Sequence, residues 1–294
     1  MKYIFLLLLF FITHATEKAH ANERSDSVFD RVNETKTIRC GYLPYEPFIT
    51  VDPTSGKVGG LTHDYLEETA QRNGYKIEWT QEVNIDQLVP QTEAKKIDVM
   101  CLPCTPDHVW ENMLDFPAFL GALPYYVYVA KDSTLTKEQL EKSKFVTLDG
   151  YALTDITHTA FPEATYSSLP QTASTAEFYD QLKYRKADAG VNEDISAMNY
   201  IKNNPDIIKR FSDDPVISMR MFLVSKKDDK RMTDFLDQTF TIDAPQNMET
   251  IKKLMSEYNI TTETFLLGDQ CKNRTETEKG GKICLTTTTD ESKK

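Results

Sequence analysis

Apolar residues recur in two alternating rhythms along this chain: every second position in short runs, then every third or fourth in longer ones. Residues 36–41 alternate as a strand does, residues 53–56 form a turn, and Thr62 can cap a helix that carries Tyr65, Leu66, Thr69 and Ala70 on one face until Gly74 stops it. Residues 76–80 alternate again, residues 85–94 are helical with Leu88 and Val89 inward, and residues 97–101 make a short apolar strand that ends at Pro103 and Pro106. A second stretch of the same kind begins near Tyr125. It has strand patterns at 144–148 and 187–191, a helix at 175–184, and a helix face marked by Ile195, Met198 and Ile201. Residues 220–225 read as a further strand, and amphipathic stretches at 230–240 and 247–258 finish the patterned part. Strands taking turns with helices predict an α/β protein with a largely parallel sheet.

The first 21 residues follow another rule. Ten apolar residues, Tyr3 to Ile12, stand behind Lys2 and are followed by Ala19-His20-Ala21, the order of charge, apolar run and small-residue site of a secretory signal peptide. A permanent membrane helix would need roughly 20 apolar residues. The mature chain is therefore expected to start at Asn22 and to be exported into an oxidising compartment, with 22–35 a polar linker.

About 270 residues after the leader are large for one core and comfortable for two. Loss of Lys2, Lys18 and Glu17, two cations and one anion, takes the net charge from −11 to −12. A chain this acidic, with no basic run, is repelled by phosphate backbones and anionic lipid, which excludes nucleic acid as a partner and favours neutral or cationic ligands.

Of the five cysteines, Cys271 and Cys284 sit alone in a polar tail, 271–294, and are expected to close a small disulfide loop around Gly280-Gly281. An odd total leaves one thiol unpaired within the chain. Cys101-Leu102-Pro103-Cys104 admits three readings: a redox motif, a soft metal site completed by His108, or part of a structural disulfide, which the compartment favours.

Several segments together resemble one family. Ile38-Arg39-Cys40-Gly41 leads into Tyr45-Glu46-Pro47-Phe48; Gly56 to Asp64 follows as a hairpin running into a helix; Leu88-Val89-Pro90 precedes Lys96-Ile97-Asp98-Val99; Thr105-Pro106-Asp107-His108 comes next; and Lys186 to Glu193 closes the series. In this order and spacing, from about residue 36 to 258, they are similar to bacterial extracellular solute-binding proteins of family 3, the substrate-binding components of ABC importers. The resemblance implies a two-lobed type II periplasmic-binding-protein fold with two crossovers, lobe 1 formed by 36–124 plus 219–270 and lobe 2 by 125–218. It further implies a periplasmic monomer without catalysis or cofactor, which traps a small polar solute between its lobes and docks on a membrane permease. Two other functions are compatible with the residues: a dehydratase-like enzyme on the same fold with Glu193 as acid, or a thiol- or metal-handling protein using Cys101 and Cys104.

The same resemblance assigns candidate ligand contacts. Tyr45 matches the aromatic that lies against the ligand, Phe48 is expected to pack the loop, and Tyr42 is a further candidate. Thr105 lies in the turn where hydroxyl groups meet the ligand. His108 stands where amino-acid binders carry an arginine; an imidazole cannot make the two-pronged carboxylate grip, so ordinary α-amino acids are expected to bind weakly. Tyr151 follows Gly150 where relatives place a hydroxyl residue. Glu193 falls at the carboxylate that holds the ligand's ammonium group, with Asp194 as the alternative. In the family's topology the first strand neighbours the 97–101 strand, so Cys40 could pair with Cys101 as readily as Cys104 could.

Overall fold

The computed structural model describes residues 27–106, 110–150, 152–170 and 172–268, with two short strands beyond them. In chain order the elements are helix α1 (Val28–Thr35), strands β1 (Thr37–Tyr42), β2 (Thr50–Val51) and β3 (Val58–Gly59), helix α2 (Leu61–Arg72), β4 (Lys76–Glu82), α3 (Leu88–Glu93), β5 (Val99–Cys104), β6 (Leu114–Asp115) and β7 (Phe119–Ala130). Then come α4 (Lys137–Leu140), β8 (Lys144–Leu148), α5 (Ala152–Ala160), β9 (Thr165–Leu169), α6 (Thr175–Lys183), β10 (Ala189–Glu193), α7 (Asp194–Asn203), β11 (Ile208–Arg210) and β12 (Ile217–Lys226). Helices α8 (Lys230–Phe240) and α9 (Pro245–Glu257) and strands β13 (Arg274–Glu276) and β14 (Lys282–Cys284) complete them. The chain divides into two units. Unit 1 takes its described residues from 27–104, 110–120 and 222–258, and unit 2 from 105–106, 121–221 and 259–268.

In unit 1, β1 lies between β4 and β5 and runs parallel to both, with Ile38 opposite Ile77 and Cys40 opposite Val99. Parallel neighbours need a crossover, and α2 and α3 supply the two. The end of β12 pairs antiparallel with β5, Val224 opposite Met100. The expected face of α2 turns inward, with Tyr65, Leu66, Thr69 and Ala70 all buried, and the Tyr65 hydroxyl donates to the Phe240 carbonyl at 2.7 Å.

Residues 28–35, expected to belong to a linker, form α1. Its Val28 and Val32, one turn apart, are buried, and the Ser27 hydroxyl accepts from Phe29 N–H at 3.2 Å. Asp229 accepts from Val28 N–H at 2.8 Å and from the Ser27 hydroxyl at 2.7 Å. Arg31 and Arg39 both pair with Asp98, whose side chain is 0% exposed. So short a helix is not stable alone; distant partners, invisible in a polar stretch, hold it.

Unit 2 has strand order β7-β10-β8-β9, with β11 on the other edge of β7. β10 and β8 are parallel, as are β8 and β9, whereas β7 runs against β10. Tyr128, Val146, Phe178, Tyr179, Leu182 and Tyr200 form its core. Helix α7 buries Ile195, Ala197 and Tyr200 rather than the expected Ile195-Met198-Ile201 stripe, and Met198 is 50% exposed. Residues 259–268, expected with lobe 1, group with unit 2. Leu266 and Ala122 exchange backbone hydrogen bonds at 2.8 and 2.9 Å, and Gly121, at φ +130°, leaves room for Phe265, whose ring a Cβ there would meet at 2.3 Å.

The leader 1–21 and Cys271 lie outside the described residues, so the expected Cys271–Cys284 bond falls outside them too. Among those described, no helix is long and apolar enough to cross a membrane.

Candidate functional site

In unit 1 the loop after β1 is closed by its own backbone. Tyr45 N–H donates to the Ile49 carbonyl at 2.8 Å, and Ile49 N–H returns a bond to Tyr45 at 3.0 Å. The first turn of α2 completes it, since Leu61 and Thr62 N–H groups donate to the carbonyls of Pro47 and Phe48, both at 2.9 Å. That approach requires Gly60, which sits at φ +105° and where a Cβ would fall 2.5 Å from the Phe48 carbonyl oxygen. Gly60, not Thr62, is therefore the N-cap, and Thr62 is buried in the first turn.

Phe48 is fully buried. Tyr45, half-buried, stacks on it at 5.5 Å with 29° between the planes, so the tyrosine ring is held by its neighbour. Tyr42 meets Trp79 edge-on at 6.1 Å, and His63 lies against the same indole at 4.7 Å. The His63 Nδ1 is 2.7 Å from Asp64 Oδ1. Asp64 Oδ2 accepts from the Tyr258 hydroxyl at 2.6 Å, and burial, with that bond, pushes the Tyr258 phenol up to about 12.

The cysteines resolve the alternatives left open by the sequence. Cys40 of β1 and Cys101 of β5 are bonded, with Cα atoms 5.6 Å apart. The Cys101-Cys104 redox and metal readings are thereby corrected. Three residues apart on one strand the two side chains leave opposite faces, Cys101 is bonded to Cys40, and Cys104 packs on the apolar cluster of Met100 and Leu102. Burial pushes the Cys104 thiol up to about 12, and a protonated thiol neither attacks nor ligates well.

In unit 2 the Thr105 hydroxyl lies 3.0 Å from the Met221 sulfur. Glu193 and Asp194 occupy the junction where β10 becomes α7, and both are buried, at 7% and 3% exposure. Glu193 is the N-cap residue of α7, but its side chain makes no capping bond; it accepts instead from the Ser196 hydroxyl. Asp194 pairs with Arg210: Nε donates to Oδ1 at 2.8 Å, and an Arg210 terminal nitrogen stands 2.5 Å from Oδ2 as an ion pair without hydrogen-bond geometry, so that Oδ2 is buried with no hydrogen-bond partner among the described residues. The Tyr128 hydroxyl also donates to Oδ1, at 2.6 Å. The Arg210 guanidinium covers the Tyr126 ring at 4.0 Å. Burial opposes the charge on Arg210, but its hydrogen bond to Asp194 and their mutual attraction outweigh this and raise its pKa. Burial first, then the charges of Glu193, Tyr128 and Asp194, hold the Tyr179 phenol well above its ordinary value, and its ring meets that of Tyr128 edge-on at 5.7 Å.

Within unit 2 the structure thus brings Glu193 and Asp194 together, and within unit 1 it sets Tyr42 and Tyr45 around one loop and its flanking indole. His108 and Tyr151 lie outside the described residues. Arg210 escapes the sequence reading because 208–210 is only three residues long, too short for its pattern to predict a strand. Arg220, a buried arginine in β12, was read only as a strand residue.

The model for bacterial extracellular solute-binding proteins, family 3, matches residues 38–260. A "Probable histidine-binding protein" of Campylobacter jejuni is 27% identical over 208 residues, 70% of this chain and 77% of the relative. The arginine-binding extracellular protein ArtP of Bacillus subtilis is 24% identical over 70% of this chain and 78% of its own. Among solved structures, a cysteine-binding protein from Campylobacter jejuni superposes with a TM-score of 0.62 at 18% identity, covering 82% of this chain and 100% of that one. The ancestral amino acid-binding protein AncCDT-1, a precursor of cyclohexadienyl dehydratase, does so with a TM-score of 0.62 at 20% identity, over 79% and 99%. These neighbours share the type II periplasmic-binding fold with this chain.

Proposed function

Because this chain belongs to the bacterial extracellular solute-binding proteins, family 3, we propose that it captures a small cationic solute, a basic amino acid or an amine, and delivers it to the membrane permease of an ABC importer. It acts as a periplasmic monomer exported by residues 1–21. The observation that carries this reading is the pair of buried carboxylates at the β10–α7 junction, with Glu193 at the position that in this family faces the ligand's ammonium group. A buried carboxylate favours a cation over a neutral ligand because low dielectric strengthens their attraction. The names of the two relatives, histidine- and arginine-binding, fall in the same chemical class. Tyr45 and Tyr42, on their fixed loop, would supply the aromatic surface, and His108, lacking the guanidinium fork, would weaken the grip on a carboxylate.

Titration calorimetry of the full mature chain with the twenty amino acids and short diamines tests it. Wild type is expected to bind at least one basic compound without turning it over. Glu193→Gln is expected to weaken that binding by about tenfold or more across pH 6 to 8, the cost of losing a charge-assisted bond, while leaving the unfolding midpoint nearly unchanged. A Glu193→Gln protein that binds as wild type does, or conversion of the ligand, would sink the reading.

A further inference from the structure

Asn33, Asn259 and Asn273 each open an Asn-x-Thr triplet, the acceptor pattern for N-linked sugar in exported proteins. Their surroundings differ. We propose that Asn259 is an N-glycan acceptor, modified after export with an oligosaccharide from a lipid-pyrophosphate donor; the inference rests on the reading of residues 1–21 as a leader.

Asn33-Glu34-Thr35 is wound into α1. Two residues of helix turn through about 200°, so the amide and the hydroxyl leave opposite sides and cannot meet one enzyme together. Both are also engaged, since Asn33 Oδ1 accepts from Lys36 Nζ at 2.7 Å and the Thr35 hydroxyl donates to the Arg31 carbonyl at 2.8 Å. Asn273 lies outside the described residues, and the backbone of Thr275, two positions on, is paired opposite Ile283 in the β13–β14 ladder.

Asn259-Ile260-Thr261 departs from both. It follows α9, where Tyr258 N–H donates to the Leu254 carbonyl at 2.9 Å, and it belongs to no helix or strand. Asn259 and Thr261 are exposed, and the residue between them is not proline. The Asn259 amide has no hydrogen-bond partner among the described residues. Asn259 sits at φ +54°, a left-handed conformation that asparagine tolerates and that commonly ends a helix. Helix termination uses only its backbone, so the side chain is left for other work. The Thr261 oxygen accepts from Glu263 N–H at 3.3 Å, which leaves the hydroxyl proton uncommitted. The transfer would bond Asn259 Nδ2 to the anomeric carbon of the donor's first sugar and break that carbon's bond to the pyrophosphate oxygen. Nδ2 gives up one proton, and the lipid pyrophosphate leaves with the bonding electron pair.

Peptide mapping by mass spectrometry of the full mature chain, purified from the periplasm of the cells that encode it, is the test. The Asn259 peptide is expected to carry a sugar mass and the Asn33 peptide none. Asn259→Gly keeps the left-handed turn and should lose the sugar without lowering the unfolding midpoint. Thr261→Val should lose the sugar and Thr261→Ser should keep it, because the pattern needs a hydroxyl; a residue that only ends the helix would respond to neither. An unmodified Asn259 peptide in the periplasmic wild type, sugar on Asn33 in its place, or a Thr261→Val protein that keeps the sugar overturns the inference and leaves export standing. A chain that retains residues 1–21 and stays in the cytoplasm overturns both.

Discussion

Both units bury carboxylate against guanidinium, and to opposite ends. In unit 1, Asp98 pairs with two arginines, Arg31 and Arg39, and also accepts the Arg39 backbone N–H at 2.7 Å. The same strand pair carries the Cys40–Cys101 bond. Each of those contacts joins one part of the frame to another: α1 and β1 to Asp98, which leads into β5, and β1 to β5 itself. In unit 2 two carboxylates share a junction, and Arg210 answers the second. Burial of charge is weak evidence for stability by itself; what separates the two cases is what the acid serves, a tie between elements of the frame in unit 1 and the junction where a cationic ligand is proposed to arrive in unit 2.

The strongest way to break the comparison is through the disulfide. Reduction, or replacement of Cys40 and Cys101 by Ser, opens a loop of sequence separation 61, and chain entropy puts the loss at about 4 kcal/mol. Both tryptophans, Trp79 and Trp110, are in unit 1, so tryptophan fluorescence in a urea titration reports that unit. The fluorescence midpoint is expected to fall sharply with reductant. A midpoint indifferent to reductant would mean that the bond contributes nothing to the frame.

Next in size is Asp98→Ala, which leaves Arg31 and Arg39 facing each other across a vacated buried site. Breaking a buried pair from one side costs about 3 kcal/mol. The loss should be localised: amide exchange across 28–35 should accelerate before that of β10, because Arg31 is one of the ties that hold α1. Uniform acceleration through both units would show that Asp98 does not act on unit 1 in particular.

How much of this contrast could be read from residues alone depends on how local its causes are. Helix α8 was legible to its ends because its apolar spacing and its Asp229 cap lie within one stretch. Strands β1 and β4 were legible because half-buried strands alternate. Helix α1 was not, since its partners Asp98 and Asp229 are distant in sequence. Strand β7 was not legible as a strand, because its twelve residues are all buried and show no alternation; only the start of a second stretch near Tyr125 was. In the candidate site, Glu193 and Asp194 were legible through a motif, whereas the assignment of Arg210 to one of them depends on β11 pairing with β7, a long-range fact with no signature in either segment. The Cys40–Cys101 choice was open for the same reason.

The smallest expected effect concerns Cys104, which tests whether unit 1 holds any chemistry beyond its frame. The folded thiol titrates at about 12 against an ordinary value of 9.0 because burial disfavours the thiolate. Between those two values the unfolded chain releases its proton while the folded chain keeps it, so the stabilisation is fully present below pH 9 and is lost as pH rises toward 12. At pH 8 the native protein should therefore react with iodoacetamide at least about a hundredfold more slowly than the denatured one, following its smaller thiolate fraction, with the native rate still climbing above pH 10. Cys104→Ala should lower the unfolding free energy read from the fluorescence titration by less than about 1.5 kcal/mol, as expected for removing one small, half-buried group. Rapid alkylation of native Cys104 at pH 7 would instead reveal an activated thiolate and would return unit 1 to consideration as a reactive site.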